Sequence, residues 1–183
     1  MTNVRFISVC TLLLALAAAC HNSAPVNDGS IHADARLVDT LGVVVGMVRL
    51  TEMPGTPGVD VDIKVDGTVT PGLHGIHFHS VGQCTPAGAF ASAGPHFNPA
   101  GKKHGLFNPE GPHAGDFEAL TIDSFRKGSF IAHDMRISLS EGPNSLLDAD
   151  GSSVVLHALP DDQRTDPSGS SGARIACGVV EKR

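Results

Sequence analysis

Ten histidines occur in the 183 residues, most of them between positions 74 and 157, and their spacing is that of metal ligands. His77 and His79 are two apart in the apolar run 74–80. If that run is a strand, both imidazoles leave it on one face, and two imidazoles on a rigid strand suit a transition metal. His74 is an odd number of residues away and points elsewhere; it is expected to be a structural histidine that hydrogen-bonds beside the site. Alone, the His-x-His pair is weak. The stretch after it adds His96, His104 and His113, then Asp116. Three imidazoles and one carboxylate make a closed four-ligand set, suited to structural zinc with bonds of about 2.0–2.1 Å. Gly94, Gly101, Gly105, Gly111 and Gly115 lie among them and let the backbone fold tightly around an ion. A solvated histidine-rich loop is the alternative. A closed set leaves no open position for water, and no nucleophile–base pair stands out, so a zinc hydrolase is the weaker reading. His96 lies between the strand-borne pair and the loop-borne set and is best placed to bridge two metals.

The elements that must position these residues read as strands. Val59, Val61, Ile63 and Val65 alternate with Asp60, Asp62, Lys64 and Asp66, a period-2 pattern with one wet face. Alternation also runs through Ala35, Leu37 and Val38, and through Val43, Val45, Met47 and Leu50. An apolar run holds Leu73, Ile76 and Phe78, and further strands are expected near 117–122, 129–133, 137–139, 154–157 and 173–180. Helical periodicity is missing after the first 20 residues. Twenty-one Gly and 12 Pro, with no Trp or Tyr, favour turns and short strands. Two segments break the rhythm: 81–115, rich in Gly, Pro, Ala and His, and the polar 160–172. Loops of that length are rare in compact domains unless they carry function. The expectation is an all-β, antiparallel Greek-key barrel or sandwich with two long functional loops, in a single domain without internal repeats. Apolar residues at 41% and charged residues at 17% are globular proportions.

The first 19 residues read as an export signal, with Arg5 in the n-region and an apolar stretch over 6–19. The run Leu16-Ala17-Ala18-Ala19-Cys20 resembles a bacterial lipobox, with Ala17 where Leu is usual. It makes Cys20 the expected lipidated first mature residue; an ordinary cleaved signal is the alternative. Residues 20–32 read as a polar tether, and 33–183 as the domain. The formal net charge is −6. Loss of Arg5 leaves 12 basic and 19 acidic residues, or −7, which argues against a nucleic-acid partner. With Cys10 and Cys20 accounted for, Cys84 and Cys177 remain in a chain bound for an oxidising compartment, and a disulfide between them is expected. It would close a loop of roughly 90 residues, worth about 4–5 kcal/mol.

These motifs together resemble the copper–zinc superoxide dismutases. Gly72-Leu73-His74-Gly75-Ile76-His77-Phe78-His79 is similar to the family's first signature. Ser92-Ala93-Gly94-Pro95-His96-Phe97-Asn98-Pro99 resembles its bridging-histidine segment, and Lys103-His104-Gly105 with His113-Ala114-Gly115-Asp116 its zinc segments. Val154-Val155-Leu156-His157, followed by Asp161-Asp162, resembles the last copper-ligand segment. Gly172-Ala173-Arg174-Ile175-Ala176-Cys177-Gly178-Val179 resembles the final signature. The resemblance covers essentially all of 33–183, with the motifs in the family's order.

It implies an eight-stranded barrel. Copper would be held by His77, His79, His96 and His157, and zinc by His96, His104, His113 and Asp116. Asp161 would link a copper histidine to a zinc histidine, and Arg174 would hold a small anion beside the copper. Ser168 stands where the family usually has Thr at the channel, and Phe90 where the animal-type members carry the cysteine. Cys84 sits earlier, as in bacterial periplasmic members. The implied reaction is dismutation of superoxide, with His96 a switchable bridge that carries a proton. At −7 the chain repels its anionic substrate, so Arg174, with Arg164, Lys102 or Lys103, would have to focus the field locally. The rival is a non-catalytic copper/zinc binding or delivery module. The implied location is the periplasmic side of a bacterial membrane, held through the lipid at Cys20, as a monomer or homodimer.

Overall fold

A computed structural model describes residues 28–183, so the expected signal, Cys20 and most of the tether lie outside the described residues. The elements are β1 (Ile31–Asp39), β2 (Val44–Glu52), β3 (Val59–Asp66), β4 (Gly72–His74), β5 (Ile76–His79), β6 (Leu120–Ile122), β7 (Lys127–Asp134), β8 (Ser153–His157), β9 (Arg174–Val179) and β10 (Glu181–Lys182), with a single turn of 3-10 helix at Ala91–Ala93. β1 starts two residues ahead of the expected domain start at Ala33.

β3 follows its sequence pattern: Val59, Val61, Ile63 and Val65 are buried, and Asp60, Lys64 and Asp66 are exposed. β1 turns Ala33, Ala35 and Leu37 inward. The hairpin to β2 is set by Asp39, whose carboxylate accepts the N–H groups of Leu41 and Val43, a local bond typical of turn aspartates.

The main sheet runs β5-β8-β9-β1-β2-β3-β7, with β10 on β1 as its eighth strand; β4 and β6 pair separately. Every strand pairing is antiparallel. The two sheets are joined at both ends. β4 runs through Gly75 into β5, and the turn after β6, in which Asp123 N–H bonds to the Lys127 carbonyl, lays β6 on β7. Gly128 permits that approach: a Cβ there would press on the Thr121 carbonyl and the Ile122 side chain. The sheet thus curls back on itself, and its inner face forms one core that includes Leu37, Leu50, Ile63, Ile76, Phe78 and Leu156. Each such side chain contributes about 1.5–3 kcal/mol.

Two expected strands differ. Only Leu120–Ile122 of 117–122 is strand, because the chain before it is held by contacts to the loops. The segment 137–139 forms no strand. Ile137 and Leu139 are buried, but the N–H groups of Leu139 and Ser140 are taken by the Glu52 carboxylate. The alternation there reflects core burial within a loop.

β5 and β8 differ from the other strands in being buried on both faces. Ile76, Phe78, Val154 and Leu156 face the core. His77 and His79 leave β5 on the opposite face, and the two long loops cover them.

Candidate metal centre

The long loop is stitched to β5 by its backbone. Asp116 pairs with His77 and His96 with His79 as isolated bridges. Phe78 N–H bonds to the Gly115 carbonyl, Phe97 N–H to the Phe78 carbonyl, and Ser80 N–H to the Pro95 carbonyl. These bonds bring His96 and Asp116 beside the strand-borne pair. His157 arrives from β8, where a register shift at the end of the strand lies between Leu156 and His157.

Four ring nitrogens converge without partners: Nδ1 of His77 and Nε2 of His79, His96 and His157, all buried. They lie within 4.8 Å of one another. Three of the rings commit their other nitrogen to the protein. His77 Nε2–H donates to Asp161 Oδ2 at 2.7 Å, His79 Nδ1–H to the Gly94 carbonyl at 2.9 Å, and His157 Nδ1–H to the Gly172 carbonyl at 3.2 Å. Each bond fixes a tautomer with its lone pair aimed at the common point. Burial keeps the rings neutral: it pushes His79 well below its ordinary value, His96 to about 4 and His157 to about 3. Buried polar atoms without partners are costly, and four facing one another are a set of donors for a metal ion.

A second set shares His96. Asp116 Oδ1 lies 2.9 Å from His96 Nδ1, 3.1 Å from His104 Nδ1 and 3.3 Å from His113 Nδ1, and the His113 and His96 nitrogens are 3.4 Å apart. Four ligands at tetrahedral bonds of about 2.0–2.1 Å stand about 3.3 Å apart, so this cluster has the dimensions of a zinc shell. The other Asp116 oxygen, Oδ2, accepts the N–H groups of Gly105 and His113. Burial acts to raise Asp116, but the histidine contacts outweigh it and hold the carboxylate far below its usual range.

Asp161 joins the two sets. Besides His77, it accepts His104 Nε2–H on Oδ1 at 2.9 Å. Burial alone would lower His104; its hydrogen bonds to Asp116 and Asp161 push it up to about 9 instead. The packing tolerates no side chain at Gly169, where φ is +62° and a Cβ would overlap Asp161 Oδ1 and meet His104 Nε2.

Arg174 leaves the start of β9 and donates to the carbonyls of Phe90 at 2.8 Å and Gly94 at 2.7 Å. Gly94 therefore receives both Arg174 and His79 of the converging set. Cys84 and Cys177 form a disulfide with Cα atoms 5.5 Å apart. Cys177 packs with Phe90, Ala93 and Val155 in a second small core, so Phe90 serves as a buried anchor. Ser168 is half-buried, its carbonyl accepting Ser171 N–H. His74 places both ring nitrogens on carbonyls, of His157 at 2.7 Å and of Thr70 at 2.9 Å, which supports the backbone of His157 from behind. Among the candidate cations, Lys103 pairs with Asp166 at 3.0 Å. Arg164 lies over the Phe107 ring and donates to the Phe107 carbonyl. Lys102 has no ion pair among the described residues; it lines a groove beside His96 together with Asp148, Asp150 and Asp166.

Two residues of the site are invisible in the sequence. Arg136 donates to the carbonyls of His113 and Asp116 while pairing with Asp134. Gln163 is buried between the loops. Neither stands in a motif, and an isolated Arg or Gln in a polar stretch carries no signal of its own.

Residues 44–180 match the family described as copper/zinc superoxide dismutase (SODC). Superoxide dismutase [Cu-Zn] 2 of Aquifex aeolicus is 41% identical over 153 residues, which are 82% of this chain and 86% of that protein. Superoxide dismutase [Cu-Zn] of Caulobacter vibrioides is 42% identical over 144 residues, 76% of this chain and 80% of the relative. Among solved structures, a SOD-like protein from Bacillus subtilis superposes with a TM-score of 0.75 at 38% identity, covering 81% of this chain and 97% of that one.

Proposed function

Since the chain belongs to the copper/zinc superoxide dismutase family, we propose that it is an active enzyme converting two superoxide anions and two protons to oxygen and hydrogen peroxide. The family's cofactors are copper and zinc, and the donor sets fit both. His77, His79, His96 and His157 would hold copper; His96, His104, His113 and Asp116 would hold zinc. The observation that carries the reading is the convergence of four unpartnered, buried imidazole nitrogens beside Arg174. A matched neighbour called only SOD-like makes activity a matter for direct test.

Bound in these sets, copper supplies a one-electron redox couple and zinc a fixed charge without redox chemistry. The residues do the rest. His79 and His157 are locked by backbone carbonyls and His77 by Asp161, so their orientations need no reorganisation. His96 is the one ring of the copper set whose second nitrogen faces the zinc set, with Asp116 Oδ1 at 2.9 Å, rather than a backbone carbonyl or Asp161. Its Nε2 is therefore the atom that can hold a proton and pass it to the product. Arg174 keeps its guanidinium beside His79 on two carbonyls, a permanent positive charge that can receive a small anion. Lys102 and Lys103 line the groove beside His96 against three aspartates, and Lys103 is paired with Asp166, so attraction of substrate falls mainly on Arg174 and the metal.

The purified mature domain is loaded with copper and zinc, and superoxide decay is followed directly with and without cyanide. Acceleration lost on adding cyanide is expected; no acceleration overturns the proposal and leaves a non-catalytic metal module. Added salt should slow the reaction, and a rate indifferent to ionic strength removes local steering from the account. We propose further that the chain is exported to the periplasmic side of a bacterial membrane and lipidated at Cys20. Its signal-like start and the Cys84–Cys177 disulfide, which suits an oxidising compartment, support this. Labelled fatty acid should enter the wild type and not Cys20→Ser; equal labelling, or none in either, rejects the anchor.

A further inference from the structure

Asp161 is fixed by more than its two histidines. The N–H of Gln163 donates to Asp161 Oδ1 at 2.6 Å, and Gln163 is itself clamped from three directions. Its side-chain Nε2–H donates to the Phe117 carbonyl at 2.8 Å, next to Asp116. Its Oε1 accepts the N–H of Leu106 at 3.2 Å, two residues after His104. Its backbone carbonyl accepts Phe107 N–H at 3.1 Å. The side chain is buried, and φ at Gln163 is +61°, a left-handed conformation that a residue with a Cβ adopts only when its surroundings impose it. Gly105 completes the fit, because a Cβ there would overlap the Gln163 carbonyl.

One carboxamide thus ties together the segment bearing His104, the segment bearing Asp116 and the residue that aims its own N–H at Asp161. It touches none of the metal-facing atoms. We infer that Gln163 is the positioning residue of the metal centre, holding the two zinc-bearing segments at the separation zinc requires and setting the Asp161 bridge that transmits this order to His77. The inference rests on the copper–zinc reading of the site.

The test uses the purified mature protein, zinc-loaded, with release followed by a chromogenic chelator in excess. Co(II) placed in the zinc site gives a visible spectrum that reports ligand geometry. Gln163→Leu keeps most of the volume and removes both side-chain hydrogen bonds. Gln163→Gly relaxes the left-handed backbone and keeps the N–H to Asp161, so it isolates the carboxamide and serves if the leucine variant fails to fold. Partners one shell out from a metal are typically worth 10- to 100-fold in affinity. Both variants are therefore expected to release zinc about 10- to 100-fold faster, with a displaced Co(II) band. Zinc release at the wild-type rate from either variant overturns the inference. So does a Co(II) band unchanged from wild type, even where the metal-free protein melts lower, since that marks a role in the fold alone. A wild-type protein that takes up no zinc overturns the metal reading itself and this inference with it.

Discussion

Severing the Cys84–Cys177 bridge should cost this domain a large share of its stability, chiefly through the unfolded chain. The two cysteines are 93 residues apart. In the chain-entropy description a cross-link closing a loop of that length removes about 4.5 kcal/mol worth of disorder from the denatured ensemble. Cys177 is also fully buried against Phe90, Ala93 and Val155, and truncating it to alanine adds about 1 kcal/mol of lost contact. The total for Cys84→Ser with Cys177→Ala is about 5–6 kcal/mol. At about 2–4 °C per kcal/mol for a domain of this size, the melting temperature should fall by about 10–24 °C. The measurement belongs on metal-free protein, because a bound metal stabilises by mass action and masks the difference. Urea titration supplies the second readout: a denatured chain freed of its cross-link exposes more surface, so the m-value should rise. A loss smaller than about 2 kcal/mol refutes the entropic reasoning. A full loss with an unchanged m-value would move the effect into the folded state, into the packing of Phe90 and the carbonyls that seat Arg174.

Arg174→Ile, loaded with both metals, should lower kcat/KM for superoxide on the order of 10-fold, the low end of electrostatic steering effects, with metal content by elemental analysis unchanged; an unaltered rate would remove Arg174 from substrate handling. Glu52 accepts the N–H groups of Leu139 and Ser140 and the Ser140 hydroxyl, so Glu52→Gln should cost about 1–2 kcal/mol at pH 7. Burial acts to raise the Glu52 carboxyl, but these donors outweigh it and hold it below its ordinary value. Its contribution is therefore present above the usual glutamate range and lost as pH falls through the lowered value. Denaturant titrations should show the stability difference between wild type and the Glu52→Gln variant closing in acid, and a difference independent of pH contradicts the charge-assisted bonding. His133 donates to Asp60 Oδ1 at 2.8 Å and to the Pro57 carbonyl at 2.9 Å, and these bonds, Asp60 first, raise it above the ordinary imidazole value. The stabilisation it provides is complete below about pH 6.5 and is lost as pH rises through the folded value; NMR titration of the ring should give a midpoint above that of a free histidine, and one at or below it contradicts the assignment.

The parts of the site that the sequence discloses are those with a local rule behind them. His77 and His79 share a face because a strand alternates, and the same rule puts Ile76 and Phe78 in the core, so one four-residue strand is legible as both wall and ligand platform. His104, His113 and Asp116 are legible as chemistry because three imidazoles and a carboxylate among glycines have few other uses. Where they sit is settled by backbone bonds from Phe78 to Gly115 and from Phe97 to Phe78, which no periodicity encodes. The 137–139 segment misleads for the complementary reason: Ile137 and Leu139 alternate as a strand would, yet their backbone is claimed by Glu52, 87 residues from Leu139 in sequence. Gln163 is the limiting case. Its partners are 46 and 57 residues away, its left-handed φ has no sequence mark, and glutamine in a polar loop reads as solvent-facing. Residues that bind metal must have particular chemistry and so declare themselves by type. Residues that hold binding segments together need only a donor and an acceptor at the right separation, a requirement that any amide meets and that the fold alone can specify.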